Sequence, residues 1–178
     1  MGIARKVEIF KVVMLTYASL AFLGVMISGI VIRGEFSKWF FDVPFQYRQL
    51  FYTAFANERN LSLILLFVVP VLMVGMVSFT QQELYESPAL VDVLIVSFGV
   101  FAISSSVRIA LVFRKLFVFT EMFASAGEKV LSMSYYRVLS QMESLHAVAV
   151  IMDVLWIVSL TLFVVVTLSR IVGRIKHI

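Results

Sequence analysis

The chain contains no cysteine and two histidines among 178 residues, so the side chains that carry most metal and redox chemistry are scarce. Without cysteine there is no disulfide, thiol nucleophile, iron–sulfur cluster or cysteine-ligated zinc site. Charged residues make up 15% of the sequence, and the formal net charge is +4. The basic residues are spread over several segments, which predicts no nucleic-acid partner and favours contacts with anionic lipid headgroups.

Apolar residues are abundant and lie in four long runs, at about residues 12–32, 61–79, 90–113 and 147–168. About 20 apolar residues are enough for an α-helix to cross a hydrocarbon layer of about 30 Å. A hydrophobic fraction of 61% also exceeds that of an ordinary soluble domain. The sequence therefore predicts an all-α integral membrane protein, in which a bundle of four transmembrane helices forms a single membrane domain over residues 1–178.

The segments between the runs differ in length. Residues 80–89 form a short connection that ends in Ser87-Pro88, a typical helix start. Residues 33–60 and 114–146 form long, aromatic-rich connections, which we expect on the opposite membrane face from both termini. Basic residues flank the first run, which is too long for a signal peptide and is expected to be retained. This charge favours cytoplasmic termini, and we expect location in the plasma membrane.

The long connections carry helical patterns of their own. Apolar residues recur at helical spacing through the second connection and into the fourth run, which predicts one continuous helix across Lys129–Ala147 and the fourth span. The third span continues outward in the same way, and a helical hairpin outside the bilayer is the expected result. The alternative is that residues 117–123 lie flat on the membrane. In the first connection, Asp42-Val43-Pro44 predicts a turn.

Two charges interrupt the apolar runs, Arg108 in the third and Asp153 in the fourth. Because the two helices run in opposite directions, both charges fall about 8–9 Å below the same membrane face. An isolated charge at such depth costs at least about 2.5 kcal/mol, so we predict that Arg108 and Asp153 form an ion pair. The pair is either a site for an ion, proton or ligand, or a pin that fixes the packing of the last two helices.

Glu143 and His146 extend this polar stripe along the last helix. Their spacing matches the Glu-x-x-His element of di-iron bundles, but such sites need two of these elements. The second histidine, His177, belongs to the opposite face, so paired haem ligands are not expected either. A mononuclear metal site completed by another subunit is the remaining alternative. We predict no catalytic residue, cofactor or metal site, whereas contacts with lipids are expected.

Small residues and one proline mark the packing of the spans. Gly24 and Ser28 form a small-x-x-x-small element, which predicts close helix packing on one face of the first span. The run Ser104-Ser105-Ser106 suggests either a polar path or hydroxyls bonded to the preceding turn of their own helix. Pro70 lies in the middle of the second span, where the loss of a backbone donor predicts a kink.

Three classes of function fit these features. The best is a non-catalytic accessory or structural subunit of a larger membrane complex, since apolar stripes outside the bilayer need a covering partner. A small oligomeric transporter or channel that uses the Arg108–Asp153 pair is the alternative. A membrane-bound, metal-dependent enzyme component is the third, so an enzymatic role stays uncertain. The expected partners are other membrane subunits and lipids, in a hetero-oligomer rather than a homo-oligomer.

Overall fold

The computed structural model describes residues 2–38, 45–125 and 133–175. These residues form six α-helices and one π-helical segment, in the order α1 (Ile3–Lys38), α2 (Phe45–Leu63), the π-helical segment (Ile64–Val68), α3 (Val69–Phe79), α4 (Gln81–Glu86), α5 (Pro88–Ser125) and α6 (Met133–Ile175). The turn expected at 42–44 lies outside the described residues.

Four helical stretches are long and apolar enough to cross a membrane: Ile3–Gly34, Phe55–Phe79, Pro88–Leu116 and Glu143–Gly173. They contain all four predicted runs, so the predicted all-α architecture with four candidate spans is confirmed. Each stretch is longer than its apolar run because the helices continue through polar residues at their ends. The second span begins six residues earlier than the sequence suggested, at Phe55 rather than Leu61.

α5 and α6 are 38 and 43 residues long, which corresponds to about 57 and 64 Å at 1.5 Å per residue. α6 runs without a break from Met133, so the predicted continuity with the fourth span is confirmed from there onward, while residues 129–132 lie outside the described chain. α5 likewise continues as one helix through residues 117–123. The two helices pack along each other and form an antiparallel pair longer than a membrane is thick.

Pro70 lies just after the π-helical segment. Because a proline nitrogen carries no hydrogen and its ring crowds the carbonyl four residues back, a regular α-helical turn is disfavoured here. The backbone N–H of Val69 instead donates to the carbonyl of Ile64, five residues earlier. The irregularity expected from Pro70 therefore takes the form of one wide turn, a known cause of helix bending.

Apolar side chains form two cores at different heights in the bundle. The first lies near the short connection and includes Phe10, Met73, Phe101 and Phe163, while the second lies near the long connections and includes Val25, Phe55, Leu66, Ile109 and Phe113. The polar residues 104–106 and 108 of α5 fall between the two sets along the helix. A polar layer thus separates two apolar cores.

Within the described part of this chain, the Gly24 face of α1 is not packed against another helix, so its predicted close packing stays a prediction. Gly24 is exposed, and a Cβ added there meets nothing within 4 Å, while Ser28 is half-buried. Gly29 is the buried glycine of α1, and an added Cβ would lie 3.6 Å from the Phe55 ring. The close contact of α1 within this chain is therefore at Gly29, which the spacing of the Gly24–Ser28 motif did not indicate, because spacing alone does not say where the neighbouring helix lies.

Candidate functional site

Arg108 connects three helices at the edge of the second core that faces the first core. It projects from α5, and its side chain is 12% exposed. Nε donates to Asp153 Oδ1 on α6 over 3.0 Å, and Nη1 donates to Glu58 Oε2 on α2 over 3.2 Å. The structure therefore brings Arg108 and Asp153 together and adds a second carboxylate that the sequence had not indicated.

Asp153 receives a further donor from its own helix. Nε1 of Trp156, one turn along α6, donates to the same Oδ1 atom over 3.0 Å. The indole also packs against both apolar cores, so it fixes the carboxylate at the boundary between them. Two donors from different directions hold this oxygen in place, and hydrogen bonds to charged groups are among the stronger ones in proteins.

A cavity of about 310 Å³ lies beside this network, between α2, α5 and α6. Its polar wall contains Glu58, Arg108, Asp153, Lys115 and His146. Lys115 Nζ lies 3.3 Å from His146 Nδ1, at the ends of the third and fourth spans. Val112, Leu116, Ala149 and Val150 complete the walls, so the cavity is charged on one part of its surface and apolar on the rest.

A second polar contact connects α1 to α5 about one helical turn before Arg108 in the sequence of α5. The Tyr17 hydroxyl lies 3.2 Å from Ser105 Oγ and 2.9 Å from Ser106 Oγ, and it donates to the Ala102 carbonyl over 3.1 Å. Ser104 and Ser105 also donate to carbonyls of the preceding turn of α5. The serine run therefore forms hydrogen bonds in two ways. Ser105 and Ser106 contact Tyr17 on α1, while Ser104 and Ser105 also donate to carbonyls of their own helix.

The remaining predicted residues lie apart from this network. Glu143 is exposed and does not line the cavity, although His146, three residues later, does. Within the part of the chain that the structure describes, no group of three or more histidine, aspartate or glutamate side chains is placed to hold a metal ion. The members of the polar stripe along α6 therefore have different surroundings, since Glu143 is exposed whereas His146 and Asp153 line the cavity.

The sequence had not indicated Glu58, Lys115, Trp156 and Tyr17 as site residues. Glu58 and Lys115 lie just beyond the apolar runs, where charges are ordinary, and a signal for them appears only when the helices are extended through those positions. Comparisons of the chain with protein-family models, with curated proteins and with solved structures find no match.

Proposed function

We propose that the protein is a non-catalytic subunit of a larger membrane complex, with its helical extensions as the partner-binding part. The observation that carries this proposal is the length of the α5–α6 pair. α5 continues for nine residues beyond its span and α6 begins ten residues before its own, so the pair extends about 15 Å past the span ends. A projecting helical hairpin is a useful surface for another subunit.

The charged network supports a structural rather than a transport role. Both bonded carboxylate oxygens are held by Arg108, and Trp156 adds a second donor to one of them. Buried hydroxyls elsewhere on these helices, such as Ser62 of α2 and Thr167 of α6, donate to carbonyls of their own helix. The hydrogen bonds from Arg108 to carboxylates on two other helices stabilise the packing of α2, α5 and α6.

Affinity purification of the tagged full-length chain in mild detergent tests the subunit proposal. We expect partner proteins in fixed stoichiometry with the wild type and their loss from Phe119→Ala/Phe123→Ala, which alters the projecting part of α5. Val96→Ala/Ile103→Ala is the matched control, because these exposed residues lie on the same helix within its span. A monodisperse monomer without partners, or equal loss from both variants, would contradict the proposal.

The location and orientation follow the same proposal. We propose that the complex resides in the plasma membrane with both termini of this chain in the cytoplasm, as the basic residues around α1 favour. Lys6 pairs with Asp92 and Lys11 pairs with Glu8 at 2.6 Å. These contacts support a common face for the beginning of α1 and the beginning of α5, close to the short connection.

The cavity favours the second candidate function, a small oligomeric transporter, because it brings ionisable groups next to open volume inside the spans. Flux measurements in liposomes distinguish the two functions. If the network is a pin, the triple variant Glu58→Leu/Arg108→Met/Asp153→Leu keeps the partners of the wild type. Flux through the purified protein that this triple variant abolishes would favour transport instead.

A further inference from the structure

The cavity between α2, α5 and α6 has charges of opposite sign at its two ends. Lys115 and His146 lie at the outer end, near the limits of their spans, and Arg108 lies between Glu58 and Asp153 at the inner end. Lys115 follows Arg108 by seven residues on α5, which places the ends about 10 Å apart along the helix axis. Both ends line one continuous volume of about 310 Å³.

The inner end has room for a cationic donor. Two carboxylates face one guanidinium there, so acidic side chains outnumber basic ones at this end of the cavity. Glu58 Oε1 and Asp153 Oδ2 accept no hydrogen bond from the part of the chain that the structure describes. The side chains of Glu58 and Asp153 are 32% and 38% exposed, so a ligand can reach them.

The outer end suits an anion. The Lys115 ammonium lies 3.3 Å from His146 Nδ1, so two side chains of the kind that donate hydrogen bonds to phosphate oxygens stand side by side. Lys115 forms no ion pair with the described residues, and its ammonium has two further hydrogens. Both groups lie at the ends of candidate membrane spans, where a lipid phosphate would be within reach.

We propose that this cavity binds a phosphoethanolamine group, with its phosphate at Lys115 and His146 and its primary ammonium at Glu58 and Asp153. A phosphate and an ammonium joined through two carbons, with a hydrogen bond of about 3 Å at each end, reach about 10 Å. This length is of the same order as the backbone rise of α5 between Arg108 and Lys115. The apolar walls at Val112, Leu116 and Val150 suit the glycerol and acyl parts of an aminophospholipid. The site does not depend on the subunit proposal, because it follows from the cavity alone.

Native mass spectrometry of the delipidated wild-type chain tests the proposal without any substitution. The probes are phosphatidylethanolamine, phosphatidylcholine and phosphatidylglycerol with identical acyl chains. We expect phosphatidylethanolamine to bind about tenfold more tightly than the others, because only its headgroup combines the phosphate with a cation that donates hydrogen bonds: phosphatidylcholine has a cation without N–H groups, and phosphatidylglycerol has hydroxyl donors without a cation. Preference for phosphatidylglycerol, or equal retention of the three lipids together with no stabilisation by soluble phosphoethanolamine, would overturn the proposal.

Soluble phosphoethanolamine identifies the source of the ligand. If the lipid is retained selectively, the ligand is a membrane aminophospholipid; if only the soluble compound raises the melting temperature, the ligand comes from the aqueous phase. Both results support the chemistry, whereas the absence of any effect from either compound would refute it.

Substitutions then assign the two ends. Lys115→Gln should lower the affinity for all phosphate-bearing probes, whereas Glu58→Gln should remove the preference for the primary amine over the quaternary one. Arg33→Gln is the control, since this exposed arginine lies at the end of the α1 span and does not line the cavity. Far-UV circular dichroism of each variant establishes folding, and the lipid preference of the wild type stands as an independent test. Unchanged binding by both folded cavity variants would show the assignment to be wrong.

Discussion

At the scale of single residues, Arg108 is the central cation of the candidate site. It contacts carboxylates on two other helices. Loss of Asp153 leaves Arg108 with Glu58, and loss of Glu58 leaves it with Asp153. Loss of Arg108 instead strands two negative charges inside the bundle, so the three residues are unequal in their importance for stability.

We therefore expect Arg108→Ala to lower the free energy of unfolding by about 3 kcal/mol. Asp153→Ala and Glu58→Ala should each cost about 1 kcal/mol, because both carboxylates are about one-third exposed and partly screened. The double variant Arg108→Ala/Asp153→Ala should cost less than the sum of its parts. Unfolding followed by circular dichroism in detergent measures all four values.

The control for this series is Arg33→Ala, which removes an exposed arginine from the end of the α1 span and should change stability little. Strictly additive losses from Arg108 and Asp153 would show that the pair, although close, does not couple energetically.

Tyr17 provides a second residue-scale prediction. Tyr17→Phe keeps the ring between the two cores but removes the hydroxyl that contacts Ser105, Ser106 and the Ala102 carbonyl. Interhelical hydrogen bonds in membranes contribute about 0.6 kcal/mol on average, and we expect a loss of about 1 kcal/mol because one hydroxyl serves several partners. Ser19→Ala, which removes a hydroxyl bonded to the carbonyl of its own helix, is the control and should be nearly neutral.

The candidate site was predictable where a charge stood inside an apolar run. Arg108 and Asp153 are visible in the sequence because each interrupts such a run, and equal depth on antiparallel helices brings them together. Glu58 and Lys115 are not visible in this way, since they lie at positions where a charge costs little. Their inclusion depends on how far each helix continues and how it is rotated, which the periodicity of one helix does not determine.

At the scale of the helices, glycines 24 and 29 on α1 form a natural pair for comparison. Gly29→Leu should cost about 1–3 kcal/mol, because its side chain would enter the space occupied by Phe55 and Arg59. Gly24→Leu should be tolerated, since no atom lies within 4 Å of an added Cβ. Thermal unfolding of the two variants in detergent measures the difference. Equal destabilisation would show that α1 packs through the face of Gly24 instead.

Helix type and number followed from apolar run length, because that length is set by the bilayer. The continuation of α5 and α6 beyond their spans also followed, because apolar residues recur there at helical spacing. The start of the second span did not follow, since residues 55–60 precede the apolar run and still belong to the span. The π-helical segment before Pro70 also escaped prediction: a proline predicts a lost hydrogen bond, but the neighbouring packing decides which wider turn replaces it.

At the scale of the whole molecule, the topology is open to a direct test. Because the chain has no cysteine, each introduced thiol is the only one present. We expect Gly2→Cys and Glu86→Cys to react with a membrane-impermeant maleimide from the cytoplasmic side, and Ser37→Cys to react from the other side. All three positions are exposed. Labelling of Gly2→Cys and Glu86→Cys from opposite sides would contradict the four-span arrangement, whereas full inversion would correct the orientation alone.

The order of Glu58, Arg108 and Asp153 along the chain has a consequence for biosynthesis. Helices enter the membrane in order from the amino end. Glu58 of α2 is therefore inserted before Arg108 of α5, and Arg108 is inserted before Asp153 of α6. A nascent protein that pairs in this sequence never has to hold Arg108 alone in lipid, where an unaccompanied arginine is costly. Glu58 would then matter most as the partner of Arg108 during insertion. Its removal should reduce the yield of inserted protein more than it reduces the stability of the folded protein.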